Sequence, residues 1–146
     1  MSVILDDQSA VYFEIPATDP LGRMHVTGKL LAAPDKLALY WRLKENAFRR
    51  DEAEMQLIPI DYLNIESIQF RATLGLWKPR LLLKIADPAP MAGLPGAAVG
   101  GILLHLTGRT AKADARSFMK MVDYRKSEAD ANARINRISD LTSSGL

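Results

Sequence analysis

The side chains that most often carry chemistry are scarce in this sequence. Its 146 residues include no cysteine and two histidines, His25 and His105, which excludes disulfides, thiolate metal sites and cysteine nucleophiles. Lone histidines in strands are mostly structural, although a fold that joined the two could bind a metal with a nearby carboxylate. The glycines between residues 93 and 101 lack the Gly-Lys-Ser/Thr ending of a phosphate loop. We therefore expect a protein that is not an enzyme, with no catalytic, metal or cofactor site.

The net charge argues against an obligate nucleic-acid binder. Nineteen Lys and Arg stand against seventeen Asp and Glu, a balance of +2, and aromatic residues do not interleave with the basic ones as base stacking needs. Basic and acidic residues alternate in blocks along the chain. We expect these blocks to cancel largely across neighbouring strands, the alternative being a basic face.

The chain shows no sign of a targeting or membrane-spanning segment. Residues 1–7 lack the basic start of a signal peptide. The longest uncharged stretch, residues 88–104, is broken by prolines and glycines and is too interrupted for a spanning helix. We expect a cytoplasmic protein that can associate with a membrane only at its surface.

Short alternating runs separated by turn residues predict a β-rich fold. In residues 36–44, Leu37, Leu39, Trp41 and Leu43 alternate with Ala38, Tyr40, Arg42 and Lys44, which is typical of a strand with two distinct faces. Gly28 could mark a bulge or a sharp bend, and Asp61 could cap a single helical turn. The predicted strands cover residues 11–15, 23–33, 36–44, 55–60, 67–72, 80–86 and 101–107.

The apolar period changes near the C-terminus and predicts helices. Ala115, Phe118 and Val122 recur at helical spacing, which predicts a first helix over residues 111–125. Residues 127–130 read Ser-Glu-Ala-Asp, a capping pattern that predicts the start of a second helix. This second helix carries a narrow apolar stripe of Ala131, Ile135, Ile138 and Leu141.

These elements predict a small antiparallel seven-stranded barrel or sandwich capped by a C-terminal helix. Residues 57–70, residues 75–83 (Gly-Leu-Trp-Lys-Pro-Arg-Leu-Leu-Leu) and the helix from Ala111 resemble bacterial pleckstrin-homology-like domains. The resemblance covers residues 23–126, so we expect a domain over residues 1–126 and a helical extension over residues 127–146. In relatives that bind inositol phosphates, the resemblance places Lys or Arg on the first two strands. That region here holds Lys29, Lys36, Arg42 and Lys44.

Two segments could contact a partner. Trp77 stands beside two cations, Lys78 and Arg80, and could anchor to an anionic membrane or a partner groove, or pack on the rim of its own barrel. The loop over residues 88–101 carries Met91 and Leu94, which could dock on a partner or lie against this domain.

The helices offer two further surfaces. Lys112, Arg116 and Lys120 recur every four residues and could meet phosphate or an acidic protein, although such a row is usually a solvated face. The stripe containing Ile135, Ile138 and Leu141 must be covered by its own domain or by another subunit. We interpret the chain as a non-enzymatic binding or assembly domain that contacts a protein partner or itself. The alternative is a peripheral domain that binds anionic lipid, and a ligand-binding barrel has no motif behind it.

Overall fold

Alternating side chains give the strands a buried inward face and a more exposed outward face. The computed structural model describes residues 9–44, 55–72, 79–97 and 101–144. Within these segments the chain forms seven strands and then an α-helix, α1, from Ala111–Ser144. The strands are β1 Ser9–Ile15, β2 Val26–Ala32, β3 Leu37–Leu43, β4 Gln56–Ile60, β5 Ile65–Arg71, β6 Arg80–Ile85 and β7 Gly101–Thr107.

The strands form a single antiparallel sheet in the order β4-β3-β2-β1-β7-β6-β5. Each predicted strand is present, within a few residues of its expected bounds, which confirms the β-rich fold with a C-terminal helix. The ladders run through Gly28 without a break. The irregularity in register lies instead between Ile65 and Ser67 in β5.

The sheet is open, which corrects the expectation of a closed barrel. It ends on β4 and β5, and no ladder joins those two strands within the described residues. β4 carries Pro59, opposite Ala38 of β3, and a proline lacks the N–H that a second neighbouring strand would need. Between β4 and β5 the chain makes one 3₁₀ turn at Tyr62–Asn64. Asp61 caps this turn as predicted, since its carboxylate accepts a hydrogen bond from the Leu63 N–H at 3.0 Å.

The core lies between the inward face of the sheet and the first part of α1. Phe13, Leu30, Leu39 and Leu104 contribute fully buried side chains from four strands, and Phe118 contributes one from the helix. Ala115 and Val122 lie on the same side of α1 as Phe118 and are buried too. Most of the helix's contacts with the rest of the fold fall on β1, β2 and the turn at Tyr62–Asn64.

The predicted second helix is absent as a separate element, because α1 continues unbroken to Ser144. Val122 and Ala131 are nine residues apart, about 900° of helical rotation, so their side chains lie on opposite sides of the helix. The apolar pattern therefore changes faces along one helix, and this change produced the appearance of two. α1 is not apolar enough to cross a membrane, and no other helix of the described segments is a candidate.

Candidate functional site

Two surfaces carry the predicted contact residues, and the first is the distal half of α1. Val122 is the last fully buried position of the helix. Ile135, Ile138 and Leu141 beyond it are 62%, 65% and 70% exposed. With Ala131 they form what we call the distal stripe, which lies on the side of α1 opposite the core. The described part of the domain does not cover this stripe.

The distal stripe continues toward the domain through Tyr124, which is 61% exposed. Tyr124 precedes Ala131 by seven residues, nearly two helical turns, so the two lie on one face. Around Tyr124 the helix lines an open groove of about 520 Å³ with Ser117, Lys120, Met121 and Arg125. An apolar face thus runs from this groove to the end of the helix.

The predicted cationic row lies next to this face. Lys112, Arg116 and Lys120 are all exposed on the proximal half of α1. Asp114, on the same turns, accepts a hydrogen bond from the Thr110 hydroxyl at 2.8 Å. A second groove of about 240 Å³ lies between β5 and α1, where Glu66, Asp123 and Lys126 mix both signs of charge.

The second surface is the outward face of the sheet. One row of side chains crosses it through opposed ladder partners, and the row runs Arg42, Thr27, Glu14, His105, Arg80 and Arg71. Lys29 lies one row away, between Tyr12 and Tyr40, with its Nζ 5.2 Å from the centre of the Tyr40 ring. We call Arg42, Arg80, Arg71 and Lys29 the basic face. Within the described strands, Glu14 is the acidic residue that lies among these four basic ones.

This arrangement differs from the expected cancellation of charge across neighbouring strands. The basic stretches of the sequence form β2, β3, β5 and β6. These strands lie on the two sides of β1 and β7, and β1 and β7 together contribute a single acidic residue, Glu14. Sequence alternation assigns each of these side chains to the outward face. It does not say which strands are neighbours, so the row was missed.

Glu14 is the most connected polar group of this face. Its carboxylate lies 3.4 Å from Lys44 Nζ and 3.4 Å from His25 Nε2, and His105 stands opposite it in β7. Partial burial acts to raise the pKa of Glu14, but the ammonium of Lys44 and, to a lesser extent, His25 outweigh burial and hold the pKa below its ordinary value.

The fold thus brings both histidines beside one carboxylate, the arrangement that a metal site would need. Nevertheless, the described residues contain no group of three His, Asp or Glu side chains placed to hold a metal ion. Their buried side chains are also without charged groups. The Glu14 cluster is an ion-pair network on the sheet surface, with Lys44 supplying the cation.

The remaining predicted residues fall in different places. Met91 and Leu94 are each 4% exposed and belong to the core. The part of the loop that the structure describes, residues 88–97, therefore lies against its own domain, the second of the two alternatives. Gly96 packs closely against Ile15, because a Cβ added at Gly96 would lie 2.7 Å from Cγ2 of Ile15. Arg80 is half-buried at the start of β6. Trp77 and Lys78 lie outside the described residues.

Comparison of the chain with protein-family models, with curated proteins and with solved structures gave no match.

Proposed function

We propose that this chain is a non-enzymatic assembly domain that acts through protein–protein contact, with the distal stripe of α1 as its contact surface and a second copy of the chain as its partner. The observation that carries the proposal is the exposure of Ile135, Ile138 and Leu141 on a helix that extends past its own core. Full burial of a side chain of this size contributes about 1.5–3 kcal/mol. Covering the three residues on both chains therefore favours association, and the gain is of the same order as the roughly 4–15 kcal/mol that association costs.

The composition of the distal helix supports a partner. Asn132, Asn136, Ser139 and Asp140 are poor helix formers, and isolated helices shorter than about 12–15 residues are marginal in water. Beyond Ala129 the described side chains of α1 are almost all exposed. A helix of this composition gains most of its stability from packing, and a second chain can provide that packing.

Sedimentation velocity over a range of protein concentrations tests the proposal. We expect wild-type protein to exceed the 16.2 kDa mass of one chain, and the double variant Ile135→Ser/Ile138→Ser to return to that mass. Leu21→Ser is the matched control, because Leu21 is equally exposed but lies in the β1–β2 connection. A wild-type protein that sediments as one chain at every concentration would contradict self-assembly.

The basic face favours a second candidate, contact with an anionic membrane surface. Arg71 and Arg80 are ladder partners at the end of the sheet from which residues 72–79 lead toward β6, and that segment contains Trp77 and Lys78. Clustered cations beside an amphipathic ring are the usual elements of peripheral lipid binding. Such binding weakens as salt screens the charges.

Co-sedimentation with vesicles separates the two candidates. Lipid binding predicts pelleting with anionic but not neutral vesicles, reduced at physiological salt, in Trp77→Ala and in Arg71→Ser/Arg80→Ser. Lys84→Ser is the control, since Lys84 is also on β6 but stands opposite Gly101 at the strand's other end. An absence of pelleting under all conditions would leave assembly as the function to pursue.

Membership of the pleckstrin-homology-like group stays a prediction. Seven antiparallel strands followed by a C-terminal helix support it, and fold resemblance of this kind does not specify a ligand.

A further inference from the structure

The charges along α1 alternate in blocks on the part of the helix that carries the distal stripe. Beside the distal stripe, Glu128 and Asp130 form an acidic block, and Arg134 and Arg137 form a basic one. Asp130 and Arg134 are also paired within the chain, with their charged groups 3.2 Å apart. The order of signs along the stripe is therefore minus and then plus.

Rotating the helix by 180° about a perpendicular axis through its middle reverses this order of signs. When two such helices run in opposite directions and cross near Asn132 and Ala133, the basic block of each chain lies level with the acidic block of the other. Asp130 then falls between the levels of Arg134 and Arg137 in the second chain. Two helices that run in the same direction and in register place every block level with its own copy.

The exposed apolar residues of α1 are arranged about the same midpoint of the helix. Tyr124 and Leu141 lie about equally far from the middle of the helix between Asn132 and Ala133, and so do Ala131 and Ile135. In the antiparallel arrangement Tyr124 of one chain therefore meets the helix end of the other. The small side chain of Ala131 is level with the large one of Ile135, a combination that lets helices approach closely.

The groove around Tyr124 provides room for the second chain. Met121 and Tyr124 line it, and the antiparallel register brings the last turn of the other helix over both. The two helices overlap from about Met121 to Ser144, roughly 36 Å at 1.5 Å per residue. The Tyr124 groove and the distal stripe thus form one continuous interface.

We propose that two copies of this chain pair through antiparallel α1 helices, centred near Asn132 and Ala133, with the C-terminal end of each helix seated over Tyr124 of the other. The inference rests on the proposed function and adds to it the direction and register of the contact. It assigns one face of the helix to the partner and leaves the core-facing side, which holds Ala129 and Ala133, toward the domain.

Engineered cysteines test the direction, because the chain has none of its own. The variants are Tyr124→Cys and Thr142→Cys, both at exposed positions on the stripe side. An antiparallel pair places position 124 level with position 142 of the other chain, while two copies of position 124 lie about 26 Å apart along the axis. Disulfides need Cα atoms within about 7 Å.

Under mild oxidation we expect the mixture of the two variants to form disulfide-linked dimers in roughly tenfold greater yield than either variant alone. One variant is labelled with heavy nitrogen, so that mass spectrometry identifies the mixed species. Asp140→Cys, mixed with Tyr124→Cys, is the control, because position 140 is nearly level with position 142 but on the opposite side of the helix. It should remain at the background yield.

The alternative outcomes are distinct. Efficient dimers of each variant with itself would show a parallel pair and overturn this inference, while leaving self-assembly in place. Equal yields from the Asp140→Cys mixture would overturn the assigned face. Wild-type protein of dimer mass with no disulfide from any of these variants would place the contact elsewhere. Wild-type protein of single-chain mass would contradict the proposed function as well.

Charge reversal gives an independent reading of the register. Asp130→Arg and Arg134→Asp/Arg137→Asp should each raise the dimer dissociation constant several-fold, since each puts like charges at the same level. Mixing the two variants should restore affinity toward the wild-type value. No recovery on mixing, with both variants weakened, would overturn the proposed register.

Discussion

The ring of Phe13 lies in the space that a side chain at Gly28 would fill. The two residues are ladder partners on β1 and β2, and a Cβ added to Gly28 would lie 2.6 Å from Cζ of Phe13. It would also meet the carbonyl oxygen of Tyr40 on β3. Glycine is therefore required here by close approach, because the absent side chain leaves room for the Phe13 ring against the middle of the sheet.

Gly28→Ala should destabilise the fold. Overpacking a well-packed core by one methyl group typically costs about 1–3 kcal/mol, and the rigid Tyr40 carbonyl leaves little room for relaxation. Urea unfolding, followed by the circular dichroism of the sheet, measures the change in the free energy of unfolding. Gly93→Ala is the matched control, because nothing lies within 4 Å of its added Cβ. Equal stability of the two variants would contradict the assigned packing.

Tyr62 connects the corner after β4 to the β2–β3 turn and should make stability fall at high pH. Its hydroxyl donates a hydrogen bond to the carbonyl oxygen of Ala33, and burial raises the pKa of Tyr62 to about 12. A pKa raised on folding means that the neutral phenol stabilises the fold below the unfolded pKa of about 10. This contribution is lost as the pH rises from about 10 through about 12.

Tyr62→Phe removes both the hydrogen bond and the titration. We expect a loss of about 1–2 kcal/mol at neutral pH, because the Ala33 carbonyl loses its donor. The variant's stability should also depend less on pH above 10 than that of the wild type. Tyr12→Phe serves as the control, since that ring is exposed on β1 and lies outside the proposed interface. Parallel stability curves for Tyr62→Phe and wild type at high pH would show that Tyr62 does not carry the effect.

Glu14 should contribute to acid unfolding through its pairing with Lys44. Its pKa in the folded chain lies below the ordinary value of 4.5, so the ionised carboxylate stabilises the fold above that value. The contribution is lost as the pH falls through the folded pKa. Lys44→Met should therefore raise the Glu14 pKa, measured by NMR titration of its side-chain carboxyl carbon. Lys84→Met, which is distant in the ladder, should leave it unchanged.

The strands could be predicted from sequence because one-dimensional alternation is enough to define them. Leu37, Leu39 and Trp41 alternate with outward residues in the sequence, and they occupy inward positions of β3 in the structure. Asp61 was predictable as a cap because its effect is local, acting on the Leu63 N–H two residues away. Features of this kind depend on neighbours in the chain.

The Glu14 cluster and the open sheet could not be predicted in this way. Glu14 is thirty residues from Lys44 and ninety-one from its ladder partner His105, so only the strand order brings them together. The unbroken α1 was missed for another reason. A change of apolar face between Val122 and Ala131 resembles a break, whereas a helix can present one face to its core and the opposite face to a partner.

The distal half of α1 should be helical only when it is covered. Its exposed aliphatic residues and poor helix formers make this part marginal in a single chain, so dissociation should cost helicity. We expect the circular dichroism at 222 nm, normalised per residue, to weaken on dilution in step with the loss of dimer mass. On dilution, Ile138→Ser should lose circular dichroism at a higher protein concentration than the wild type does. The reason is that burial of a large aliphatic side chain contributes about 1.5–3 kcal/mol to the dimer. Leu63→Ser is the control, since Leu63 is an exposed leucine at the corner before β5, and it should follow the wild-type dilution curve. A signal independent of concentration in a protein that does change mass would show that the distal helix is stable without its partner, and that assembly does not depend on folding it.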